Sequence, residues 1–328
     1  MPIIEVEDLN KTFSLSRRRA GASGPMARFA RETARVTAVD GISFTVQPGE
    51  LAAYVGPNGA GKSTTIKMLT GILVPSSGRV RVAGLEPSRR RVELARRIGV
   101  VFGQRTQLWW DLPLRDSFEL LRYIYRVPLE RHRANLDAFV ELLDLGPMLA
   151  TPVRQLSLGQ RMRGDLTAAL LHDPEILYLD EPTIGLDVVA KARIRDFLIE
   201  LNRERGVTIL LTTHDMSDIE RVCSRMLIID RGHLIYDGGL DALKDRFGGD
   251  RIVIVDLEEA GPPIQIPGVD VVKLDGPRQW LRFRRGETTA AEVVAGVAAR
   301  ARLRDLTIEE PEVEDIVRRI YLGDQPLA

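Results

Sequence analysis

The residues Gly56-Pro57-Asn58-Gly59-Ala60-Gly61-Lys62-Ser63-Thr64 carry the most specific chemistry in the chain. They fit G-x-x-x-x-G-K-[ST], a loop that wraps phosphate groups. Glycines at 56, 59 and 61 let the backbone curl until successive N–H groups point inward. Lys62 can reach β- and γ-phosphates, and the Ser63 hydroxyl can ligate Mg²⁺. A glycine turn met by chance is the competing reading. The flanking residues decide against it. Leu51 to Val55 reads as a buried strand leading in, and Lys62 to Leu73 as a helix leading out. That helix adds the positive end of its dipole to the loop.

Four further stations follow in order. Asp180 ends the apolar strand Ile176–Leu179, and Glu181 comes next. A strand-end aspartate can help hold Mg²⁺. An adjacent carboxylate can deprotonate an attacking water. His214 ends a later strand, where its imidazole could hydrogen-bond a γ-phosphate or the water. Gln104 follows the strand Ile98–Phe102 and could touch the metal through its amide. Ser157-Leu158-Gly159-Gln160 opens a helix, a second phosphate-binding device; Ser157 acting only as an N-cap is the other reading. Two phosphate-binding surfaces in one chain imply either a second nucleotide or a nucleotide shared between two chains.

Elements must hold these stations. Short strands are predicted at Ile3–Val6 and Gly41–Val46, and again at Gly78–Gly84. Between the first two lies Ser14–Val36, rich in arginine, read as a solvated insertion; contact with acidic headgroups or a partner is the alternative. Met26, Phe29 and Ala30 hint at a short amphipathic helix. Trp109 to about Leu156 has helical periodicity, with Phe118, Leu121 and Ile124 on one face and Phe139, Leu142 and Leu143 on another. Helices near 88–97, 188–203 and 216–222, strand Thr208–Thr213 and a hairpin around Gly232 complete an α/β core. Composition shifts near Phe247-Gly248-Gly249. The remainder reads as strands at 252–257, 271–274, 281–283 and 306–308 with helices at 288–299 and 312–321, without an obvious catalytic set.

Composition bounds the rest. Length is 328 residues, which predicts one large and one small domain. Net charge is zero, so there is no electrostatic footprint for nucleic acid. Cys223 is the single cysteine and is expected to be a buried structural thiol. No apolar run approaches the ~20 residues of a membrane span, and no signal peptide is visible in Met1–Phe13.

The order of these motifs resembles the ATP-binding subunit of ABC (ATP-binding cassette) transporters over roughly residues 1–245. The segments Gly103–Leu112 and Glu181–Asp187, with the small C-terminal domain, resemble bacterial ABC-2-type subunits that serve export. The resemblance implies a P-loop NTPase core with an antiparallel β subdomain and a helical subdomain at about 105–165. A small α+β accessory domain at 246–328 follows. It implies ATP and Mg²⁺ as ligands, with the metal on Ser63, Asp180 and Gln104, partly through water. Glu181 would be the general base and His214 the switch histidine. Gln104 would link the metal to the membrane partner, with Gln107 the alternative, since Gly103 is one residue more than usual. Ser157, Leu158, Gly159 and Gln160 would close on ATP held by an opposing subunit, with Leu158 standing where the family has glycine. Asp187 would lie in the loop between subunits, and Phe13 would stack on adenine. Trp109 and Trp110 would face the membrane partner or be buried in the helical insert. Separate membrane permease chains and a second ATP-binding subunit are the implied partners, at the cytoplasmic face of the cell membrane. An ABC ATPase acting on DNA or ribosomes, or a regulatory module with a dead site, are the rival readings.

Overall fold

The computed structural model describes residues 1–18, 31–103, 105–213, 215–247, 250–284, 287–309 and 313–322. The chain divides into two compact units, Met1–Asp237 and Gly238–Ala328.

The first unit begins with β1 (Ile4–Arg18) and β2 (Arg31–Val46), an antiparallel pair. Both run well past the strands expected from sequence. The ends of the Arg-rich insertion are strand rather than loop, paired from Ser14↔Arg35 to Arg18↔Arg31. Met26, Phe29 and Ala30 lie outside the described residues. β3 (Leu51–Val55) is buried throughout and leads through the glycine loop into α1 (Lys62–Leu69). β4 (Ser77–Val82) pairs with β1, giving a three-stranded sheet in the order β2-β1-β4. α2 (Arg91–Ala95) and β5 (Ile98–Phe102) follow.

The helical subdomain comprises α3 (Leu114–Tyr125), α4 (Leu129–Leu142) and α5 (Leu158–Leu170), with two single 3₁₀ turns between the last two. Leu114, Ser117, Phe118 and Leu121 form the buried stripe of α3. Ile124 is 58% exposed, because six residues carry it about 120° off the Phe118 face. Leu142 is likewise exposed, while Phe139 and Leu143 are buried.

β6 (Ile176–Asp180), α6 (Val188–Arg205), β7 (Thr208–Thr212), α7 (Met216–Val222), β8 (Arg225–Asp230) and β9 (His233–Gly239) complete the core. Six strands form one sheet in the order β5-β6-β7-β3-β8-β9. The pairs β5/β6, β6/β7, β3/β7 and β3/β8 are parallel. These four ladders aim the C-terminal ends of five strands at one edge, where open α/β sheets bind ligands. Burial on both faces explains their near-continuous apolar runs. Cys223 is buried, as expected of a structural thiol.

Two polar features stand inside this core. The Arg195 guanidinium donates to Asp218 at 2.6 Å, and Thr183 Oγ1 donates to the other carboxylate oxygen at 2.8 Å. That ties α6 and the loop after β6 to α7. The Tyr178 hydroxyl, in contrast, is fully buried with no hydrogen-bond partner among the described residues. Tyr178→Phe removes an unpaired buried group and is expected to stabilise the fold by about 1 kcal/mol. Urea denaturation measures this directly; a loss of stability means that the hydroxyl has a partner.

The second unit contains α8 (Leu240–Phe247), β10 (Asp250–Leu257), β11 (Val269–Asp275), β12 (Arg278–Arg284), α9 (Ala290–Ala298), β13 (Leu303–Glu309) and α10 (Val313–Leu322). The strands form an antiparallel sheet in the order β11-β12-β10-β13. Val253, Val255, Leu257, Leu281 and Phe283 point to one face and bury Val293 and Val297 of α9. This is the α+β arrangement expected. The boundary predicted at residue 246 falls inside α8, which groups with the second unit.

Candidate functional site

The glycine loop leaves the C-terminal end of β3 and ends at Gly61, where φ is +110°. Only glycine adopts that conformation readily. A Cβ at Gly61 would also sit 2.4 Å from the Ala38 carbonyl oxygen. The loop is braced from beneath. Tyr54 Oη donates to Thr65 Oγ1 at 3.2 Å, and that hydroxyl donates to the Gly61 carbonyl.

Lys62 is buried, and its Nζ donates to the carbonyls of Gly56 and Pro57. Burial lowers its pKa, opposed by the nearby carboxylates of Glu181 and Asp180. Ser63 Oγ donates to Asp180 Oδ2 at 3.0 Å, while Thr212 Oγ1 donates to Oδ1 at 2.6 Å. The three residues come from α1, β6 and β7. The ladder sets Phe102, Asp180 and Thr212 side by side, which is why the carboxylate lands on the loop.

Glu181 has φ +56°, uncommon for a residue with a side chain. Its N–H donates to the Thr212 carbonyl at 2.9 Å and lies 3.2 Å from Thr212 Oγ1. Backbone held in a sparsely populated region by its surroundings is a feature of working sites. Gly103 lies against the same turn: its N–H donates to the Asp180 carbonyl at 2.7 Å, and a Cβ there would meet the Glu181 carbonyl at 2.5 Å. The extra glycine before Gln104 thus has a steric reason.

These residues line a cleft of about 960 Å³. Gly56 to Gly59, Gly61 to Thr64, Asp180 and Glu181 are all on its wall. Ala60 is buried behind it. Ala38, Lys67, Ile72, Phe102, Gly103, Arg105 and Ile184 also line it. Arg105 had a sequence signal, a cation beside Gln104; Lys67 and the apolar residues had none. Gln104 and His214 themselves lie outside the described residues. Gln107 is engaged elsewhere, donating its amide to the Asp165 carbonyl at 3.1 Å.

Phe13 is not among the cleft residues. Because β1 continues past it, Phe13 is a mid-strand residue paired with Val36, beneath the Lys11 ammonium. Ser157, Leu158, Gly159 and Gln160 are also absent from the wall. Ser157 caps α5 in a reciprocal pair with Gln160: Ser157 Oγ accepts from Gln160 N–H at 3.2 Å, and Gln160 Oε1 accepts from Ser157 N–H at 2.9 Å. Leu158 packs on Gly185, where a Cβ would meet its Cδ2 at 3.0 Å. Asp187 is exposed and caps α6 through the Ala190 N–H at 2.8 Å. Trp109 and Trp110 are 38% and 50% exposed, so the exposed alternative holds for that pair.

Burial pushes the Asp165 carboxyl on α5 up to about 6, against the pull of the Thr106 hydroxyl, the Gln107 amide and Arg161. The unfolded carboxyl ionises near its ordinary value of about 4, so between about pH 4 and 6 the folded chain holds a proton the unfolded chain has lost. This group therefore withdraws stability as pH rises through that window, by on the order of 3 kcal/mol. Melting curves of Asp165→Asn against wild type are expected to move in favour of the variant from pH 4 to 6, then run parallel above about pH 7. A constant difference would mean that the carboxyl titrates normally.

The Ser63 hydroxyl and Asp180 carboxylate are hard oxygen donors beside the phosphate loop, a set that fits Mg²⁺. Among the described residues no three His, Cys, Asp or Glu side chains converge into a separate metal site. No helix among them is long and apolar enough to cross a membrane.

The sequence profile described as ABC transporter matches residues 39–184. The chain is 34% identical to the daunorubicin resistance ATP-binding protein DrrA3 of Streptomyces coeruleorubidus, over 88% of this chain and 92% of that one. It is 42% identical to the Nod factor export ATP-binding protein I of Paraburkholderia xenovorans, over 63% and 67%. A solved ATP-binding subunit of an ABC transporter superposes with a TM-score of 0.61 at 25% identity, covering 74% of this chain and 92% of that one. The chain belongs to the ABC transporter family, as an ATP-binding and ATP-hydrolysing subunit.

Proposed function

We propose that two copies of this chain sandwich two ATP molecules and power export through separate membrane permease chains. The observation that carries the reading is the cleft in which the glycine loop, Lys62, Ser63, Asp180 and Glu181 converge. A second supports pairing: Ser157, exposed, and Gly159, half-buried, lie outside that cleft at a helix start that could face another chain's nucleotide. A relative named for Nod factor export supports the outward direction.

ATP phosphates enter the loop, and Lys62 leaves the Gly56 and Pro57 carbonyls for phosphate oxygens. Ser63 and Asp180, with Gln104, would hold Mg²⁺, which supplies charge neutralisation at the β- and γ-phosphates. Glu181 accepts a proton from the attacking water as the bond from the γ-phosphorus to the ADP oxygen breaks. His214 hydrogen-bonds the γ-phosphate. Ser157 and Gly159 of the second copy close over it, and Asp187 lies between the copies. Trp109 and Trp110, exposed on the segment after Gln104, suit a contact with a permease. Docked on a permease in this way, the chain would work at the cytoplasmic face of the cell membrane. The unit from Gly238 onward holds its own core and serves as an accessory domain.

A pull-down of the tagged chain from detergent-solubilised host membranes tests this. Recovery of polytopic membrane proteins supports the proposal. Recovery of ribosomes or DNA-repair proteins instead leaves the ATPase standing and overturns the transport half.

A further inference from the structure

The segment that follows Gln104 is fastened to one residue of α5. Asp165 Oδ1 accepts from the Thr106 hydroxyl at 2.8 Å and from the Gln107 N–H at 3.1 Å. Gln107 Nε2 returns a bond to the Asp165 backbone carbonyl at 3.1 Å. The Thr106 hydroxyl in turn accepts from the Leu108 N–H at 3.1 Å. Beside this cluster α5 carries Gly164, where a Cβ would meet Leu114 Cδ1 at 2.9 Å and Leu108 Cδ1 at 3.1 Å. Backbone and side chains therefore meet here without slack. Asp165 is only 5% exposed, so the bonds are made out of water, where their loss costs most.

The two ends of this connection have different duties. Upstream, Gly103 and Arg105 are cleft residues. Downstream, α5 begins at Ser157, about 12 Å from Asp165 along the helix axis. A helix is stiff over that length, so a displacement of residues 105–107 is passed to Ser157 rather than absorbed.

We propose that Asp165 is a positioning residue that couples a chain's own ATP cleft to its own Ser157, and so links the two ATP sites of a pair. The proposal rests on the paired reading above. ATP that draws in the cleft residue Arg105 would swing α5 through the Thr106–Asp165–Gln107 bonds. Ser157 would then meet the nucleotide on the other chain. Asp165 touches neither nucleotide; its effect is on cooperativity between sites rather than on affinity at one.

The test is phosphate release by the purified full chain as a function of ATP concentration. Wild type is expected to give a sigmoidal curve with a Hill coefficient between 1 and the ceiling of about 2 set by two sites. Asp165→Ala is expected to drop it to about 1 while half-saturating ATP stays within about twofold. Thr106→Val, which removes the bond to Asp165 and the acceptor of the Leu108 N–H but keeps the shape, moves it the same way and decides the matter if Asp165→Ala does not fold. Asp165→Asn restores cooperativity, because its amide oxygen can accept both bonds. A wild-type Hill coefficient in Asp165→Ala and Thr106→Val overturns the coupling. So does a parallel fall in affinity, rate and melting temperature, the mark of a merely structural residue. A wild type that is hyperbolic, and that ATP does not pair in the Glu181→Gln background, overturns the paired reading instead.

Discussion

Glu181→Gln is expected to slow ATP hydrolysis by about 10³-fold and to leave ATP binding intact. The amide is close in size to the carboxylate but cannot take a proton from water. Nothing else in the cleft needs to move. Glu181 is anchored through its backbone N–H to Thr212, and that bond does not depend on the side chain. The Asp180 carboxylate keeps its bonds from Ser63 and Thr212. The variant should therefore hold ATP without turning it over, and ATP should drive it into a stable pair. Phosphate release beside equilibrium ATP binding reads both halves. Release at the wild-type rate would transfer the base role to another group of the cleft.

Gly61→Ala is expected to lower ATP affinity by at least about 10²-fold, equivalent to two charge-assisted hydrogen bonds. Two independent penalties act at this position. An alanine at φ +110° is strained by on the order of 1–3 kcal/mol. Its Cβ would also stand 2.4 Å from the Ala38 carbonyl and 3.3 Å from Val39 Cγ2. The neighbour is backbone, so the loop must yield, and its N–H groups lose their aim at the phosphates. Gly59→Ala is the control. It shares a positive φ, +85°, but nothing lies within 4 Å of the added carbon. Its loss should stay below about tenfold, since strain alone acts. Isothermal titration with ATP separates the two. Equal losses would mean that the Ala38 contact is relieved at no cost.

Much of this was legible because the chemistry demands particular residue types at particular spacings. Gly56 to Ser63, flanked by an apolar strand and a helix, announces the phosphate loop by residue type and spacing alone. Asp180 and Glu181 were visible as charges ending a run of buried residues. The second unit was readable from alternation, Val253, Val255 and Leu257 falling on one face. What stayed hidden was set by tertiary pairing. The segments 14–18 and 31–36 are largely polar, so no pattern marked them as strand; register alone sets Arg17 opposite Glu32. That extension also makes Phe13 a mid-strand residue, paired with Val36. Asp165 looked like one more charge on a helix, and nothing in its neighbourhood of sequence points to Thr106. Gln279, wholly buried on the inner face of β12, escaped notice for the same reason: its partners at Pro262 and Ile264 come from a loop far back in the chain.

The parallel ladder that sets Phe102, Asp180 and Thr212 in one row has a further consequence, for how this chain can change over time. Substitutions inside β5, β6 or β7 alter packing but leave the row aligned. Losing or gaining one residue in β6 is different in kind. It would slide the strand end by about 3.3 Å and turn the acidic side chain to the opposite face of the sheet. No compensating substitution in the same strand restores both position and direction. Length variation in a lineage descended from this sequence should therefore collect between β1 and β2 and in the loops between helices. The three strands that feed the cleft should keep their residue count while their identities drift.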